Sequence, residues 1–179
     1  YFRGAALSRA DAFRTPLGDV SVERPTGAGG QGSCLFLSDE VHAREHAVEV
    51  QLPFLQIALR DFRVVPLILG DVDRVQLANE ILDMALRDPL YIASSDLSHY
   101  DPYDVAVAHD RQTMALIVGD KGERLTGEDA CGFMPIQTLL AIAHTAGWKP
   151  RLLDYRNSGD TAGDTSAVVG YTAISFEEA

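Results

Sequence analysis

The feature that most constrains this chain is the alternation of its apolar patterns. FRVVPLILG, with a strand expected over residues 62–69, precedes DVDRVQLANEILDMALRD, whose apolar residues recur at helical spacing over about 73–87. LYIASS, over 90–95, is again a short apolar run, and DVAVAHDRQTMALIVGD is again helical, over about 104–118. PIQTLLAIAHTAG predicts a further helix from Pro135 to about Ala146, with Pro135 in the first turn and Gly147 just past the end. RLLDYR and AVVGYTAISF read as two more strands, separated by the turn-rich NSGDTAGDTS. Strands alternating with helices form βαβ units. The expectation is therefore an α/β fold, with a largely parallel or mixed sheet flanked by helices on both faces. Runs such as VVPLIL and LYIA lack a polar face, which suits strands buried on both sides.

Upstream of these units the pattern is looser. RPTGAGGQGS (24–33) has no periodicity and reads as a flexible loop. From Asp39 to Arg60, Val48, Leu52, Leu55 and Leu59 recur at helical spacing, and Pro53 predicts either a kink or a helix that starts nearby.

At 179 residues and 46% apolar content the chain suffices for one core, so residues 1–179 are expected to form a single domain. A net charge of −11 argues against nucleic acid or an anionic membrane surface as a partner, because both reward excess Lys and Arg. No apolar run approaches the roughly 18 residues of a membrane span. Cys34 and Cys131 lie far apart and make no disulfide framework, so a reducing, cytoplasmic setting is expected.

In open α/β sheets, functional groups gather beyond the carboxyl ends of strands. Three expected strands end in polar clusters: Leu69 before Gly70, Asp71 and Asp73; Ala93 before Ser94, Ser95, Asp96, Ser98 and His99; and Arg156 before Asn157, Ser158 and Asp160. Asp96 and His99 are three apart, so one tight turn would put both side chains on one side. A carboxylate beside an imidazole holds its tautomer and raises its basicity, which suits acid–base chemistry or metal ligation. Equally, Asp96 and the serines could cap a turn around a structural histidine, and spacing alone leaves both readings open. Cys131, in EDACGFMPIQTLL, precedes an expected helix N-terminus that would favour a thiolate, a nucleophile or a soft metal ligand; the alternative is an inert buried cysteine. Cys34 reads as structural, and His42 and His109 as exposed.

Several stretches together resemble one family: ALSRADAFRTPLGDV, EHAVEVQLPFLQ, VVPLILG, SSDLSHY, CGFMPIQTLL and SAVVGYTAISF. In order and spacing they resemble the Memo-like family, whose bacterial and archaeal members are called AmmeMemoRadiSam system protein B. The resemblance implies a fold like that of class III extradiol dioxygenases and a pocket in which two histidines and a cysteine bind iron or copper beside an Asp and a further His. Cys131 matches the cysteine of Cys-Gly-x-x-Pro-Ile, and Asp96 and His99 match Ser-Ser-Asp-x-x-His. The family's Pro-His-Ala-Gly-Tyr and Gly-Pro-Ser-His segments, which carry the two histidine ligands, are not in this sequence. The chain, which opens on Tyr1, is therefore expected to be the C-terminal two-thirds of the family's domain.

Three functions follow. The first is a metal-dependent redox protein, with Cys131 and His99 on the metal and Asp96 and His99 as the acid–base pair. The second is a scaffold that uses the same pocket for a small molecule or a peptide. The third is a metal-free hydrolase with Cys131 as nucleophile and His99 as base. The family name also implies association with a radical SAM protein.

Overall fold

The computed structural model describes residues 2–26 and 29–178, so residues 27 and 28 of the expected Gly-rich loop lie outside the described residues. Its contacts group into two compact units, Tyr1–Leu90 and Tyr91–Ala179. The chain is mixed α/β.

The first unit runs through β1 (Ala5–Leu7), β2 (Ala12–Thr15), β3 (Gly18–Ser21), β4 (Leu35–Leu37), α1 (Asp39–His42), α2 (Leu52–Ala58), β5 (Leu67–Leu69) and α3 (Arg74–Leu82). β1 lies between β4, its parallel neighbour, and β5, its antiparallel one. Ala5, Ala6 and Leu7 are all buried, which suits a central strand. β2 and β3 form a separate antiparallel hairpin. The stretch from Asp39 to Arg60 is two short helices rather than one kinked one. Pro53 sits in the first turn of α2, where its missing N–H costs nothing. Asp73 caps α3, its side chain accepting from the amides of Val75 and Gln76 at 2.9 Å each.

The second unit contains β6 (His99–Asp101), α4 (Tyr103–Val118), α5 (Phe133–Ala146), β7 (Trp148–Asn157), α6 (Ser158–Ala162) and β8 (Val168–Glu178). Its sheet order is β6-β8-β7, and both pairings are antiparallel. The sheet of the first unit is thus mixed and the other pairings are antiparallel, rather than largely parallel, with β1–β4 the parallel ladder among the described strands. Helices on both faces were expected, but here α4 and α5 cover one face. Ile174 and Phe176 of β8 pack with Met114 and Ile117 of α4 and with Ile136 and Leu140 of α5. The LYIASS run is not a strand among the described residues, and Ile92 is 49% exposed.

One charged side chain organises this unit. The inward stripe of α4 is Ala106, Asp110, Thr113, Met114 and Ile117. Asp110 has 0% exposure. Its Oδ1 accepts the Ser98 amide at 2.9 Å, and its Oδ2 accepts the Tyr155 hydroxyl of β7 at 2.7 Å. Gly170 of β8 leaves room for the carboxylate, because a Cβ there would overlap it. Asp110 therefore joins the helix, the sheet and the stretch after Ala93.

Burial, and then the hydrogen bond to Asp110, push the Tyr155 phenol up to about 12. In the unfolded chain its value is about 10, so the neutral hydroxyl contributes stability that is complete below about pH 10 and lost as pH rises towards about 12. Urea unfolding across that window should show a decline in the native protein that is shallower in Tyr155→Phe. Equal slopes would mean that the phenol carries none of the alkaline sensitivity.

Candidate metal centre

Residues 94–99 are held from below. The Leu97 amide donates to the Gly170 carbonyl at 2.9 Å, and the Gly170 amide donates to the Ser98 carbonyl at 3.0 Å. Leu97 enters the apolar core and the Ser98 amide is fixed by Asp110, leaving Asp96 and His99 to emerge on the outer side. There Asp96 Oδ2 lies 3.5 Å from His99 Nε2, with the side chains 46% and 37% exposed. Tyr100, within β6, is in the left-handed region, φ 60°, where the β6–β8 register shifts between His99 and Asp101, and its ring lies 6.0 Å from that of His99. Tyr171 of β8 borders the same place. Burial, then the charge of Asp96 and the nearby Tyr100, raise its phenol pKa, so it stays protonated.

The second loop brings in the cysteine. The Thr126 amide and hydroxyl both reach Asp129 Oδ2 at 2.8 Å, and Ala130 is buried in the core. Cys131 then stands outside, just before Gly132, the residue that precedes α5. The helix begins two residues before the expected Pro135, so Cys131 is at its start. The two loops clasp each other through the backbone. The Cys131 amide donates to the Asp96 carbonyl at 3.3 Å, and the Asp96 amide donates to Cys131 Sγ at 3.2 Å. Gly132 is required here, since a Cβ would come within 2.7 Å of Ser95 Cβ and 2.8 Å of the Ser94 carbonyl oxygen.

Asp96 and His99, read from the sequence as a pair, and Cys131, read apart from them by position, thus fall together: one ligand atom from each lies within 4.8 Å of the others. The other two polar strand ends are caps. Asp73 caps α3, and Asn157 with Asp160 forms a reciprocal capping box on α6. His42 and His109, expected to be exposed, are half-buried with partners: His42 Nε2 lies 2.9 Å from the Ala6 carbonyl, and His109 Nε2 lies 3.4 Å from Asp129. Cys34 is half-buried, and burial followed by Glu80 pushes its thiol up to about 11, as suits a structural cysteine.

The chain's likeness to known proteins points to one family. The family described as Memo-like protein matches residues 1–175. This chain belongs to the Memo-like family. A MEMO1 family protein of Methanosarcina barkeri is 37% identical over 181 residues, covering 93% of this chain and 68% of the relative. One from Methanosarcina acetivorans is 36% identical over 191 residues, covering 99% of this chain and 71% of the relative. One from Sulfolobus acidocaldarius is 35% identical over 180 residues, covering 92% and 63%.

The donor set of this Memo-like chain suits a transition metal. Sulfur, imidazole nitrogen and carboxylate oxygen together fit a borderline or soft ion better than magnesium or calcium. A tetrahedral site with bonds of about 2.0–2.3 Å has ligand–ligand edges of roughly 3.3–3.8 Å. The Asp96–His99 separation of 3.5 Å already falls there, and the three ligand atoms lie within 4.8 Å of one another.

Asp110 was not among the candidates read from the sequence, although the signal was present: it is an aspartate on the apolar stripe of a helix. Asp110→Ala leaves the Ser98 amide and the Tyr155 hydroxyl buried without their acceptor, and should cost about 3 kcal/mol of unfolding free energy. Urea denaturation checks this. A loss below about 0.5 kcal/mol, typical of surface changes, would remove Asp110 from its organising place.

Proposed function

We propose that this protein binds a redox-active transition metal, iron or copper, at Asp96, His99 and Cys131, and acts as a metal-dependent oxidoreductase of dioxygenase-like fold. The observation that carries the reading is the convergence of three different donor types from two loops whose backbones clasp each other. Cys131 supplies the soft donor and His99 the nitrogen donor. A ligand set that uses only one of Asp96 and His99 leaves the other beside the ion to take or give a proton. The bound metal would supply Lewis-acid or one-electron chemistry.

Family membership and the mixed α/β fold support the comparison with dioxygenases. Thiolate ligation differs from the two-His-one-carboxylate set of ring-cleaving oxygenases, so ring cleavage does not follow from the fold. The net charge of −11 favours a small or neutral peptide-like ligand over a phosphorylated one. A reducing cytoplasm would keep Cys131 available as a ligand. Among the described residues no helix is long and apolar enough to cross a membrane.

An anaerobic titration with Fe(II) and with Cu(I) tests the reading. The native chain should bind one ion, and the ion should protect Cys131 from alkylation; Cys34, with its thiol pushed up to about 11, gives little background. Cys131→Ala should weaken binding by at least about 100-fold, beyond what loss of an outer partner of a ligand costs. Equal binding by the variant, or no binding by the native chain, would favour the scaffold reading.

A further inference from the structure

Ser95 lies beneath the cluster, and its hydrogen bonds can be counted. A serine hydroxyl has one hydrogen to give and two lone pairs to accept with. Ser95 Oγ donates to the Asp96 carbonyl at 2.7 Å and accepts the Gly132 amide at 2.8 Å. Cys131 Sγ lies 3.6 Å from the same oxygen, where as a metal-free thiol it can give its S–H to the remaining lone pair and as a thiolate it can draw the hydroxyl hydrogen from the Asp96 carbonyl. The hydroxyl therefore touches both loops and the sulfur at once: it stiffens the residue that carries the carboxylate, fixes the backbone just after the cysteine, and limits the directions in which the sulfur can turn. The Asp96 amide at 3.2 Å approaches the same sulfur. With both partners in place, the sulfur is held beside Asp96 and His99.

We propose that Ser95 is a positioning residue for the Cys131 ligand, setting where the sulfur sits relative to Asp96 and His99. This rests on the metal reading of the cluster and adds to it the group that orients the cysteine. Ser95 is not a ligand; it acts through Cys131 and Gly132. Outer partners of metal ligands typically change affinity by about 10–100-fold when removed.

The experiment compares Ser95→Ala and Ser95→Thr, each combined with Cys34→Ala so that Cys131 is the reporting thiol. Co(II) is the metal probe, because a thiolate–Co(II) bond gives a charge-transfer band, and the rate at which Cys131 reacts with an aromatic disulfide is read without metal. Ser95→Ala should remain folded by circular dichroism, bind Co(II) about tenfold more weakly with an altered charge-transfer band, and change the metal-free thiol rate. Ser95→Thr, which keeps the hydroxyl, should restore all three. Unchanged Co(II) affinity, band and thiol rate in folded Ser95→Ala would overturn the proposal. Loss of fold in Ser95→Ala would overturn it as well, by making the role structural. If the Ser95-intact protein binds no Co(II), the metal reading fails by itself. The thiol rate then decides for Ser95: a rate changed by Ser95→Ala and restored by Ser95→Thr keeps the positioning role, and an unchanged rate removes it.

Discussion

A buried carboxylate with no ion pair among the described residues is the constraint around which the second unit is arranged. Asp110 leaves water to accept from a backbone amide and a phenol, and burying a charge is costly unless hydrogen bonds replace its hydration. Each replacement comes from a different part of the chain. Ser98 belongs to the stretch after Ala93, Tyr155 to β7, and the space itself is provided by Gly170 of β8. The fold satisfies the carboxylate only when helix, sheet and stretch are assembled together, so this one group couples local order to tertiary packing. Ser98 precedes His99, so the same bond that satisfies Asp110 also fixes where the candidate metal centre begins.

From that anchor the site is built outward in two steps. Leu97 and Ser98 are tied down on their inner side, and the turn of the chain between them leaves Asp96 and His99, three residues apart, on the outer side. Cys131 is then brought in by reciprocal contacts between residues 95–96 and 131–132. In these, backbone amides are paired with a carbonyl, a hydroxyl and a sulfur rather than with a neighbouring strand. A site assembled this way sits on rigid elements at both ends: the ladder to β8 on one side and the start of α5 on the other. The donors are partly exposed, which suits a centre that must admit a ligand.

Much of this architecture was legible in the sequence where the pattern was long. α4 and α5 follow from helical periodicity over 16 and 14 residues, and β7 and β8 from the strand-like stretches RLLDYR and AVVGYTAISF. β1 to β4 are three or four residues each, too short for any period to register. LYIASS misled because its apolar run read as a buried strand, whereas Leu90 and Ile92 are exposed and no strand forms there. At the site, Asp96, His99 and Cys131 stood out by residue type and by resemblance to a family. Their clasp did not, because contacts between residues 35 and 37 apart, in which backbone amides donate, leave no mark in a sequence. Asp110 was visible only as a break in an apolar stripe. Its meaning came from partners 12 and 45 residues away.

The most direct test is a crystal structure of this chain grown with Fe(II) or Cu(I), with anomalous data collected at the edge of the metal added. The account predicts one strong peak about 2.0–2.3 Å from Cys131 Sγ and from a ligand atom of His99 or Asp96, with the Ser98–Asp110 bond intact. A metal peak elsewhere, or a cluster of unchanged spacing with no peak in crystals that hold the ion, would contradict it.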